Sequence, residues 1–149
     1  MGSRRYFTQT LFVAAALVLG IAGCSSMQPS TKVALSGSMS SANEVPPNAS
    51  TGTGQADAWL DKSTNVLSWK ISFSGLTGPA TAAHFHGPAA AGANAGVVIP
   101  FSSSTSPLEG QATLTPAQAA DLLAGKWYAN VHTATNKGGE IRGQMLPKM

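Results

Sequence analysis

Cysteine, histidine and charge are all scarce in this chain. Of its 149 residues one is cysteine and three are histidine, and charged side chains make up 10%. A single cysteine closes no disulfide within the chain and builds no thiolate zinc site. Six scattered acids offer no paired carboxylates of the kind that cleave glycosidic bonds. No G-x-S-x-G elbow presents a serine, and no glycine-rich phosphate loop opens a helix. The formal charge of +3 comes from nine basic residues against six acidic ones, but Arg4 and Arg5 fall in an N-terminal leader, which leaves seven against six. No basic patch interleaved with aromatics occurs, so composition argues against nucleic acid as a partner.

The leader reads as a secretory signal over residues 1–23. Arg4 and Arg5 form its positive start, "LFVAAALVLGIAG" its apolar stretch, and small residues lead to Cys24. That apolar stretch is too short to span a bilayer as a finished helix. "IAGC" resembles the bacterial lipobox, in which the cysteine is lipidated and becomes the new N-terminus. Cys24 is therefore expected to be a membrane anchor. Residues 24–31, "CSSMQPST", would then join lipid to folded domain as a flexible tether. The expected location is the cell envelope, on the periplasmic or extracytoplasmic side, and the absence of aspartate after Cys24 leans towards an outer membrane where one exists.

The rest, residues 32–147, reads as one all-β domain. Short segments with period-two alternation are separated by Gly, Pro, Ser and Asn: "VALSGSM", "GQADAWL", "NVLSWKISF", "TAAHFH", "GVVIPF", "EGQATL", "KWYANVHT" and "GEIRGQML". In the third, Leu67, Trp69, Ile71 and Phe73 share a face, and Trp69, Ile71 and Phe73 are expected to be buried. Eight such strands suggest an antiparallel β-sandwich or Greek-key barrel. One short helix interrupts them in "TPAQAADLLAG", with Thr115 as N-cap, Pro116 at the first helical position, Gln118 completing a capping box and Gly125 ready to end it.

All three histidines lie in two of these strands. Residues i and i+2 of a strand point to the same side, so His84 and His86 project together while Phe85 points the other way. In "WYANVHT" the same rule sets Tyr128, Asn130 and His132 opposite Trp127, Ala129 and Val131. If the two strands are neighbours, His132 adds a third nitrogen to the pair. With no thiolate available and no carboxylate at that spacing, the site is all imidazole, which suits copper first and zinc second.

Four motifs in order, "NEVPP" at 43–47, "TAAHFHGPA" at 81–89, "YANVHT" at 128–133 and "GGEIRGQM" at 138–145, resemble the CHRD domain, named for its repeats in chordin. The resemblance implies an immunoglobulin-like β-sandwich and a single exported domain. A weaker one, to copper-zinc superoxide dismutase, rests on the H-x-H pair, the later strand histidine and an arginine near the C-terminus. The bridging histidine, zinc loop and disulfide of that family are missing, so it implies at most a copper-only dismutase with superoxide as its small anion. Arg142 then either guides the anion or forms an inter-strand ion pair. Glu44 either orients an imidazole N–H or caps a loop. The small-residue loop "GPAAAGANAG" either admits small anions or is a loose connection. Two functions follow: a copper redox protein, or a non-catalytic envelope module that stores or passes copper or binds a protein or glycan.

Overall fold

The computed structural model describes residues 1–2 and 31–148. The signal segment beyond its first two residues, Cys24 and the tether up to Ser30 therefore lie outside the described residues; Thr31, the last of the tether, is exposed and accepts a hydrogen bond from the Lys62 N–H. Among the described residues no helix is long and apolar enough to cross a membrane.

Eight strands form where the alternation places them: β1 (Lys32–Ser40), β2 (Thr53–Asp61), β3 (Val66–Ser74), β4 (Ala80–His86), β5 (Val97–Pro100), β6 (Leu108–Thr113), β7 (Trp127–Thr133) and β8 (Ile141–Pro147). All pair antiparallel in the order β5-β4-β7-β8-β1-β2-β3-β6. The expected sandwich is thus one continuous sheet folded over on itself. Trp69 of β3 and Phe85 of β4, far apart in that order, meet edge to face at 5.4 Å, and both pack on Phe101. The fold line runs through the β8–β1 pair, whose ladder is interrupted between Ser36↔Leu146 and Ser40↔Arg142. Gly37 and Gly143 lie there, and a Cβ on either would come within 2.8 Å of a facing backbone oxygen. Only glycine lets the two backbones cross so closely.

Leu35, Leu60, Leu67, Ile71, Phe85, Trp127, Val131 and Ile141 fill the space between the layers, each almost wholly buried. Each such side chain contributes roughly 1.5–3 kcal/mol of burial. Phe73 is the exception to the expected row: it is only partly buried, because β6 pairs with β3 no further than Ile71. The helix, α1 (Pro116–Leu123), has the reciprocal capping box of Thr115 and Gln118, and Leu122 drops into the core. Gly125, at φ +70°, ends it.

One buried anion ties this end of the fold together. Glu140 is fully buried, yet it accepts hydrogen bonds from Ser50 Oγ, Thr77 N, Thr77 Oγ1 and Thr133 Oγ1. Burial alone would raise its pKa; those four donors outweigh it and bring the carboxyl down to about 2. The carboxylate thus favours folding fully above its ordinary value of 4.5, and that contribution is lost as pH falls from there towards 2. Glu140→Gln should lower stability by roughly 1–3 kcal/mol at pH 7 and flatten the acid limb of stability against pH. Denaturant unfolding of both proteins from pH 7 to 2 checks it, and parallel curves would reject the assignment.

Candidate metal centre

The register of β4, β7 and β8 lays out the site. His84 pairs with Asn130, His86 with Tyr128 and Ala82 with His132, while across the next ladder Asn130 pairs with Arg142 and Tyr128 with Gln144. Paired residues point to one side of a sheet. Two polar rows result, His84–Asn130–Arg142 and His86–Tyr128–Gln144, on the face turned away from Phe85, Ala129 and Val131. Opposite His132 stands only a methyl group, that of Ala82, so the imidazole can lean diagonally towards His84.

The three histidines converge. Their rings lie 5.0 Å (His84–His132), 5.4 Å (His84–His86) and 6.4 Å (His86–His132) apart. One nitrogen from each falls within 4.8 Å of the others, a group able to hold a metal ion. His84 Nδ1 and His132 Nε2 are 3.2 Å apart, a separation that two imidazole–metal bonds of about 2.0–2.1 Å can bridge.

Backbone carbonyls set the protons. His86 Nδ1 lies 3.0 Å from the Ala95 carbonyl and His132 Nδ1 lies 2.9 Å from that of Lys137, and a carbonyl only accepts, so both nitrogens carry hydrogen. The Nε2 lone pair of His86 is thereby left for the centre. His86 Nε2 is buried and has no hydrogen-bond partner among the described residues. His132 Nε2 faces His84 Nδ1 and, at 3.0 Å, Asn130 Oδ1. These three electron-rich atoms share at most one proton, a crowding that a cation relieves. Burial, and then the neighbouring histidines, hold His84 below the ordinary histidine pKa; burial also lowers His132, against the opposing pull of the Lys137 carbonyl. Both rings are accordingly neutral at pH 7, the form that binds metal. His84 also lines a cavity of about 190 Å³ with Thr81, Ser102, Ser103 and Ser104.

A family model described as the CHRD domain matches residues 35–145. The chain belongs to the CHRD domain family. No match is found among curated proteins or solved structures, so the likeness to dismutases gains no support from comparison.

The remaining residues of this CHRD domain sit differently from their sequence expectations. Glu44 bonds to none of the histidines; the orienting partners are the two backbone carbonyls, which no side-chain pattern could disclose. Burial pushes the Glu44 carboxyl up to about 7, although Arg142 draws it down. Arg142 is buried rather than set in a surface ion pair. Its guanidinium carbon lies 3.3 Å from the centre of the Tyr128 ring, and it donates to Asn94 Oδ1 and the Ala93 carbonyl. It lines a separate cavity of about 470 Å³ that none of the histidines borders. The 87–96 loop is not a loose connection, since Ala89, Ala93, Asn94 and Ala95 are all bonded to the sheet or its flanks. Tyr128 and Asn130, which alternation had put on the face of His132, carry more of the site than the sequence announced.

Replacing His84, His86 or His132 by alanine should weaken divalent-metal binding by at least tenfold and leave the near-UV spectrum and unfolding midpoint close to the parent's. Since neutral rings bind, affinity should fall as pH drops and His84 and His132, held below the ordinary histidine pKa, become protonated. Calorimetric titration of the parent and the three variants over pH 7 to 4 tests both points, and unchanged affinity in all three variants would refute them.

Proposed function

We propose that this CHRD domain is an envelope copper protein, held to a membrane through lipid on Cys24, whose three-histidine centre supports superoxide dismutation. The observation that carries the metal reading is the buried, unpartnered Nε2 of His86, directed with His84 and His132 into one polar cluster. A lone pair removed from water and given no donor costs free energy, and a metal ion is the partner that would repay it. His84, His86 and His132 would hold the ion; the donor set lacks thiolate and carboxylate, which favours copper over the harder cations. Copper bound there would supply one-electron chemistry.

The chain's own residues define the rest of the reading. Ala95 and Lys137 fix which nitrogens face the centre, and such partners commonly tune a ligating imidazole. The cavity beside His84 is of a size for small species and is lined by hydroxyl groups. Arg142, buried beneath Tyr128 and facing a different cavity with Glu44, would act on the centre through its stacking on Tyr128.

Protein purified from the envelope should carry one copper per chain, and the loaded form should dismutate superoxide at a rate that falls as salt rises. One copper without turnover would reject the enzyme and leave storage or transfer of copper. No copper or zinc bound at all would reject the metal centre and leave a protein- or glycan-binding module. Intact mass of the membrane-extracted protein should correspond to a chain starting at a lipidated Cys24, and any other mature start rejects the anchor.

A further inference from the structure

Arg142 is expensive where it lies. It is 1% exposed and, among the described residues, no carboxylate lies within salt-bridge distance, although its charge acts on Glu44; a buried charge so placed is costly unless it serves a purpose. Its surroundings give the purpose. The Tyr128 ring is parallel to that of His86 within 1°, with centroids 4.8 Å apart, and the Arg142 guanidinium covers the same Tyr128 ring at 3.3 Å. β7 stands between β4 and β8, so His86 reaches Tyr128 from one neighbouring strand and Arg142 from the other. The three side chains then share one short piece of loop. Arg142 donates to the Ala93 carbonyl and Asn94 Oδ1, the Ala95 N–H donates to Tyr128 Oη, and the Ala95 carbonyl accepts from His86 Nδ1.

We propose that Arg142 and Tyr128 are positioning residues: with Tyr128 stacked on His86 and Arg142 covering Tyr128 while clasping Ala93 and Asn94, they hold the His86 ring in one orientation and one tautomer, with Nε2 aimed at the metal centre. The inference rests on the metal reading for its purpose, but the arrangement is made wholly by the protein's own groups. The planar ring of Tyr128 fixes the tilt of the imidazole, since offset stacking is favourable over a narrow range of planes. The guanidinium fixes the ring by cation–π contact and the loop by its fork of donors, two tasks an ammonium group performs less well. The loop supplies the acceptor that keeps the proton on Nδ1. Loss of either stacking partner frees the carbonyl and the ring together.

The test is nitrogen-15 NMR of the histidine rings in metal-free protein, followed by metal titration of the same samples with Zn(II). The parent's His86 should be a single Nδ1–H tautomer. Tyr128→Phe, which keeps the ring, should preserve it. Tyr128→Leu and Arg142→Lys should give a mixture of tautomers and weaken zinc binding by about 10–100-fold, the range typical of lost outer partners of a metal ligand. A purely structural role for the stack would lower stability without changing the tautomer. An Nε2–H tautomer in the parent overturns the proposal without need of any variant. So does retention of tautomer and affinity in Arg142→Lys, or loss of the tautomer in Tyr128→Phe. If the parent binds no zinc or copper while its His86 is locked and Arg142→Lys unlocks it, the metal reading fails and the positioning stands.

Discussion

The antiparallel register that sets His84 opposite Asn130 and Ala82 opposite His132 is what every other feature of the centre depends on. It brings a histidine pair two residues apart on one strand against a single histidine on the next, with only a methyl group in the way. A shift of one residue between the two strands would set His84 and His86 on the face opposite His132 and break up the cluster. The same register carries the core on the other side of the sheet. Phe85, Ala129 and Val131 pack inward because His84, His86, Asn130 and His132 point outward, so the hydrophobic effect that closes the sandwich also places the ligands.

Two buried carboxyl groups show how environment, and not residue type, decides what a side chain does here. Glu140 is surrounded by hydroxyl and amide donors and stays ionised, with its pKa near 2. Glu44 has burial against it and only Arg142 and one backbone N–H in its favour, and its carboxyl titrates near 7. Neither touches the histidines. The three-histidine cluster is accordingly built without a carboxylate of its own, on a sheet face that also carries a buried arginine.

Much of this was legible in the sequence because strands write their faces in alternate residues. All eight strands, the helix with its capping box, and the grouping of His84 with His86 and of His132 with Asn130 and Tyr128 follow from period two and from turn chemistry. Phe73 was overread, since alternation gives a face but not how far a neighbouring strand extends along it. Fold-over of one continuous sheet, in place of two separate ones, depends on close backbone passage at Gly37 and Gly143, and glycine alone does not name its partner. The roles of Arg142 and Glu44 come from Tyr128 and from burial, neither of which is marked at their own positions in the sequence. The carbonyls of Ala95 and Lys137 left no trace in the sequence, because every residue has a carbonyl.

The central claim is that His84, His86 and His132 bind one metal ion together. Electron paramagnetic resonance of the intact chain titrated with Cu(II), with its histidine rings labelled with nitrogen-15, addresses it most directly. One equivalent of copper should give a single signal coupled to three histidine nitrogens. A signal coupled to fewer than three, or several overlapping signals before one equivalent is reached, would contradict the account.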